Sequence, residues 1–221
     1  MARPRSFDAD QALDAAIACF WSRGLEATSV RDLAERMGIQ GPSLYNAFGD
    51  KRALFVRAIE RYATRTMRER FARFEQQYDP KIAIRAFVQD VIERSINDPQ
   101  CRGCLLVNSA LEVAPHDTEL RARIVGYLEE ITDFFRRNIA AAQATGQVPR
   151  AVDVADTARL LFGVVLGMRI LARTSPSRAL LEGMARPALA LLDRNRPRPQ
   201  RDLDGQVSKK KRRGRPHISS R

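Results

Sequence analysis

Three polar side chains, Ser43, Tyr45 and Asn46, crowd into the stretch GIQGPSLYNAFGDK at residues 38–51. At helical spacing they point away from Leu44 and Phe48, which share the opposite face. Hydroxyl and amide groups both donate and accept, which suits base edges and phosphates. Pro42 fits a first helical turn and Gly49 a stop, leaving scarcely two turns between them. Isolated helices shorter than ~12–15 residues are marginal in water. Such a helix must be held by packing, and its polar face is left for a partner. Thr28, Ser29 and Arg31 ahead of it, Gln40 and Gly41 at its start, and Lys51 and Arg52 beyond it complete the candidate surface.

A second set is Cys101-Arg102-Gly103-Cys104. A thioredoxin-like site needs a preceding strand in a βαβ setting, which is lacking here, and zinc needs more ligands than two thiols and His116. Two readings stay open: thiols that sense oxidants or electrophiles, and ordinary buried cysteines. A third set, Asn108, Ser109 and Glu112, interrupts an apolar helix. These residues either face water or line a ligand pocket with Tyr127, Phe134 and Phe162. No catalytic residues, no metal and no cofactor are expected.

The elements that position these groups read as helices throughout. Asp8 caps a first helix carrying Leu13, Ala16, Ile17 and Phe20, stopped by Gly24. Thr28 or Ser29 caps a second, with Val30, Leu33, Ala34 and Met37 on one face and Gly38 at its end. The short helix follows, then one capped by Asp50 with a polar extension to about Gln77. Asp79-Pro80 opens the next. Gly103 to Ala114 is expected to be buried, Asp117 to Thr145 forms a long helix, and Asp153 starts another. Ser175-Pro176 is expected to cap the last, kinked at Pro187. No segment alternates with period two, so the chain is expected to be all-α.

Charge is unevenly placed along the 221 residues, whose formal net charge is +12. Residues 1–68 carry 11 basic and 8 acidic side chains, residues 69–193 carry 16 of each, and residues 194–221 carry 11 and 2. A neutral body with cationic ends suggests a polyanionic partner. The tail over 195–221 is poor in apolar residues and is expected to be disordered when free. The longest apolar run, Leu160 to Met168, is far short of the ~20 residues of a membrane span. With no secretory leader evident, the sequence predicts a cytoplasmic protein with no membrane partner.

The stretch from Thr28 to Tyr62, TSVRDLAERMGIQGPSLYNAFGDKRALFVRAIERY, closely resembles the DNA-binding domain of TetR-family transcriptional regulators. The threonine before the first motif helix, the Met-Gly turn, Ser-x-Tyr-x-x-Phe and Lys-x-x-Leu-Phe carry the likeness, across roughly residues 6–66. GCLLVNSALEVAPHD, from Gly103, is similar to the C-terminal domain of one subgroup. The resemblance implies a homodimeric repressor that binds a palindromic double-stranded DNA operator and responds to a small-molecule effector. It implies a basic N-terminal arm (1–7, with Arg3 and Arg5), a helix-turn-helix domain (8–66) and a helical effector-binding and dimerisation domain (67–194). Gly163 and Gly167 then fall on a helix expected to pair with a second subunit, or else to pack within one. The tail departs from the family pattern. Its KKKRRGRP resembles an AT-hook, and a plain basic tail fits equally well. An architectural DNA binder led by that tail and a thiol enzyme at Cys101/Cys104 are the competing functions.

Overall fold

The computed structural model describes residues 7–193, and the regular elements among them are all helical. In order they are α1 (Ala9–Arg23), α2 (Val30–Met37), α3 (Gly41–Phe48), α4 (Lys51–Ala63), α5 (Glu69–Gln77), α6 (Pro80–Ile96), α7 (Leu105–Glu112), α8 (Thr118–Ala144), α9 (Val154–Leu171) and α10 (Arg178–Leu189). Arg3, Arg5 and the basic tail lie outside the described residues.

Local chemistry sets most of the helix starts. Asp8, Asp50, Asp117 and Asp153 each accept a first-turn backbone N–H at 2.7–2.9 Å, leaving fewer orphan donors at the helix ends. Ser29 closes a capping box with Asp32, which decides the choice between Thr28 and Ser29. Gly38 ends α2 in the left-handed region at φ 65°, where a side chain is disfavoured. The last helix is capped by Ser177 rather than by Ser175-Pro176, because Ser177 Oγ accepts from the Leu180 N–H. α10 continues through Pro187 to Leu189 before tightening into a 3-10 turn.

Three of the N-terminal helices pack on one another through α1, with α3 wedged against α2 and α4. Leu44 and Phe48, at 0% and 5% exposure, anchor α3 in that core with Leu33 and Phe55. The segment after α4 is not the polar extension expected from the sequence. A π-helical turn over Thr64–Arg68 joins α4 to α5, and Met67, Phe71 and Phe74 are buried along it. Phe71 stacks on Phe134 at 4.6 Å, and Phe87 and Phe135 close an aromatic core between α5, α6 and α8. α9 lies against α8 and α6, and α10 against α9. The stretch Gly103 to Ala114 is less buried than its composition suggests: α7 begins only at Leu105, and Leu111 is 69% exposed.

Candidate nucleic-acid interface

The turn from Gly38 to Gln40 sets α3 across the end of α2, and the apolar face of α3 is spent on the core. What remains outward is Tyr45, 52% exposed, beside exposed Asn46, Gln40 and Pro42, with Ser43 half-buried. Gln40 makes no side-chain cap to α3, so the N–H groups of its first turn stay open to an acceptor. That opening and the partial positive charge of the helix start favour a phosphate. Exposed Ser29 and Arg31 stand at the start of α2.

Not every expected member reaches this surface. Thr28 is fully buried, and its hydroxyl donates to Gly24 O at 2.6 Å, holding the turn before α2. It supports the interface without touching it. The Ser29 hydroxyl is engaged with Asp32 in the cap. Lys51 Nζ donates to Leu25 O at 3.0 Å, so part of its donor capacity is used inside the N-terminal helices. Arg52 turns the other way and pairs with Asp117 at 2.7 Å and Glu119 at 2.8 Å, at the start of α8. Those hydrogen bonds, the Leu120 N–H and the Arg52 charge hold the Asp117 carboxyl down at about 2.

Behind the interface lies a cavity of about 290 Å³. It sits where α1 and α4 meet the C-terminal helices. Trp21 of α1, Tyr62 of α4, Thr66 and Met67 of the π-turn and Arg70 of α5 form one side. Phe87, Val91 and Arg94 of α6, the 97–102 turn, Cys104, Ile131, Val165 and Arg169 form the other. Arg102 lies over the Trp21 ring at 4.2 Å, a cation–π contact that joins the two sides. The Tyr62 hydroxyl donates to Cys104 Sγ at 3.7 Å, and burial pushes its pKa well above the usual phenol range.

The six expected pocket residues do not line this cavity. Ser109 Oγ donates to Leu105 O at 2.7 Å and Asn108 Nδ2 to Arg102 O at 2.9 Å, so both polar groups are satisfied by backbone. Glu112 accepts the Glu26 N–H at 2.9 Å, reaching from α7 to the turn before α2. At φ 85° Gly24 adjoins that carboxylate so closely that a Cβ there would collide with it. Tyr127 lies under Arg68, Phe134 is in the aromatic core, and Phe162 packs against the core. Trp21, Arg70 and Arg169, which do shape the cavity, were missed. Their sole sequence signal is an arginine at position 169 inside an apolar run. Of the two cysteines, Cys104 is buried at the cavity wall and Cys101 is half-buried in the turn before it at φ 49°. Among the described residues no group of His, Cys, Asp or Glu could hold a metal, and no helix is long and apolar enough to cross a membrane.

Comparison with known proteins matches this geometry. Residues 12–58 match the model of bacterial regulatory proteins of the tetR family, and residues 80–187 that of the tetracyclin repressor-like C-terminal domain. The chain is 30% identical over 195 residues to YezE of Bacillus subtilis, an uncharacterized HTH-type transcriptional regulator, covering 87% of this chain and 100% of YezE. It is 29% identical over 190 residues to the Escherichia coli HTH-type transcriptional repressor ComR, covering 86% and 90%. Among solved structures, a cysteine mutant of the TetR family regulator CifR in complex with 26-bp operator DNA is similar at a TM-score of 0.76. There the identity is 31%, over 85% of this chain and 98% of that one.

Proposed function

Because this chain belongs to the TetR family of bacterial transcriptional regulators, we propose that it is a homodimeric repressor freed from a palindromic operator by a small ligand. That it is a DNA-binding transcriptional regulator follows from the family and from the operator-bound relative. One observation carries the assignment of the reading surface: Tyr45 and Asn46 stand exposed on a helix too short to exist for its own sake. In helix-turn-helix proteins the second helix enters the major groove. We assign residues 8–66 to DNA binding and 67–194 to effector binding and dimerisation, with no enzymatic activity and a place in the cytoplasm with the DNA.

The repressor role is supported by the name of ComR. The dimer reading is supported by the outer faces of α9 and α10, where Leu160, Ile170 and Leu180 are 45%, 43% and 47% exposed. At Gly163 an added Cβ would meet nothing within 4 Å among the described residues, so that face leaves room for the close approach of a second backbone. Leu181 and Leu192 face the other way and are buried within one subunit. A two-fold dimer requires a two-fold operator. Release is supported by the position of the cavity, whose walls include α1 and α4, and by the Glu112 link from α7 to the turn before α2.

The test is selection of duplexes from a randomised library by the purified full chain. An enriched inverted repeat bound by a protein of dimeric mass is the expected result. Enrichment without two-fold symmetry, or a monomer on the DNA, overturns the dimeric reading. Deleting residues 195–221 should lower affinity for every duplex and flatten its salt dependence, each phosphate contact contributing about −0.9 to the slope of log K on log salt.

A further inference from the structure

The wall of the cavity is richer in positive charge than its own carboxylates can balance. Arg70, Arg94, Arg102 and Arg169 all line it. Arg70 and Arg94 share one carboxylate, Asp90, and Arg102 pairs with Asp98 at 3.2 Å. Arg169 has no ion pair among the described residues. Its donors go to Ser95 Oγ at 3.0 Å and to the Gly103 carbonyl. Four guanidiniums are therefore met by two carboxylates.

Hydrogen bonding points the same way. Among the described residues, two buried side-chain polar atoms have no partner, Trp21 Nε1 and Arg70 Nε. Both are donors, and both belong to cavity-lining residues. A buried donor without an acceptor costs free energy, and a ligand acceptor recovers it once a small side-chain shift turns these N–H groups, closed off in this structure, toward the cavity. Met67, Phe87, Val91, Ile131 and Val165 make up the apolar part of the lining, and Tyr62, Thr66, Asn97 and Asp98 add polar groups to it.

We propose that this cavity binds a small organic carboxylate, its head group held among Arg70, Arg169 and the Trp21 N–H and its apolar body against Phe87, Ile131 and Val165. The proposal rests on the reading of the cavity as the effector site. A planar carboxylate matches the guanidinium fork. The volume, near the lower end of the ~300–1,000 Å³ usual for ligand sites, favours a compact acid. Burial, with Arg94, Arg169 and Arg73 nearby, pulls the Arg70 guanidinium down to about 9. It remains charged at neutral pH, and an incoming anion relieves that repulsion.

Trp21 is the chain's single tryptophan, so its fluorescence reads occupancy independently of DNA. The experiment titrates the full chain at pH 7 with cinnamate, 4-phenylbutyrate and octanoate. Each is compared with its primary amide, which keeps the shape and removes the charge. At least one carboxylate should perturb Trp21 roughly tenfold or more tighter than its amide, the scale expected for hydrogen bonds to a charged group. Arg169→Gln should erase that preference, with circular dichroism confirming the fold. Should that variant fail to fold, Arg94→Gln should narrow the preference, and the acid–amide comparison on the unaltered chain decides in any case. Amides binding as tightly as acids, or no response to any acid, overturns the anion site and leaves the repressor reading standing. Carboxylate binding that leaves operator affinity unchanged keeps the anion site and overturns the release reading.

Discussion

The outer face of α3 and the wall of the cavity both gather polar side chains, and they do so in opposite ways. On α3 the polar groups are neighbours in sequence, exposed, and backed by a core that fixes them from behind. In the cavity they come from five or more elements between Trp21 and Arg169, most of them half-buried or buried although Arg94 and Asn97 are exposed, and among the described residues two of their donors lack acceptors. A surface that reads DNA can wait in water at little cost. A pocket that must recognise a small molecule keeps its donors dry, and the unpaired donors store the affinity.

The most damaging way to break the contrast is from behind the surface. Leu44→Ala removes a fully buried side chain from the one anchor row of a two-turn helix. Such truncations cost ~2–5 kcal/mol. Thermal stability should drop clearly, and operator affinity should fall with it. A variant with the wild-type melting temperature would show that α3 does not depend on this packing.

Next come the exposed groups themselves. Tyr45→Ala and Asn46→Ala should leave the melting temperature unchanged while each weakens operator over random DNA by ~1–3 kcal/mol, the scale of a base contact. Unchanged discrimination in both variants removes these residues from the reading surface. This pair separates function from folding in a way Leu44 does not.

These expectations also mark what the sequence could carry. The caps at Asp8, Ser29, Asp50, Asp117 and Asp153 depend on residues within three positions of one another, so the helices and the α2–α3 turn were legible. The cavity was not. Trp21, Arg70 and Arg169 converge only through the packing of α1, α5 and α9, and no local pattern records that convergence. Polarity on α7 misled for a related reason. Ser109 and Asn108 satisfy themselves on nearby carbonyls, and Glu112 serves a turn 86 residues away. A polar residue on an apolar helix announces an unmet need without saying what meets it.

Glu112 offers a test that joins the two regions. It ties α7, whose N-cap is the cavity residue Cys104, to the backbone at Glu26 just before α2. Coupling free energies between sites typically amount to ~1–3 kcal/mol. Glu112→Ala should leave carboxylate binding, read by Trp21, unaltered and should reduce the release of operator several-fold. Release as complete as in the unaltered chain would place the coupling elsewhere, for instance directly through α1 and α4.

The smallest expected effect belongs to the second link between the regions, Arg52 to Asp117 and Glu119. Both partners are partly exposed, and exposed pairs contribute little. Its signature is in titration. The Asp117 carboxyl, ordinarily near 3.8, is held at about 2, chiefly by its hydrogen bond to Arg52. Because the folded value lies below the unfolded one, the pair's contribution is fully present above pH ~4 and is lost as pH falls toward 2. The Glu93 carboxyl, also held at about 2 by Arg178, loses its contribution as acid is added in the same way. Arg52→Gln should therefore raise the Asp117 titration toward the ordinary value while leaving Glu93 unmoved, as followed by carboxyl carbon NMR. Operator affinity at pH 7 should scarcely change, since Arg52 pairs with the start of α8 and lies outside the surface proposed to read DNA. An Asp117 titration that ignores the substitution would mean the pair is not made in solution, leaving Glu112 as the more specific tether. A large loss of operator affinity would instead bring Arg52 back to the reading surface and redraw the boundary between the two regions.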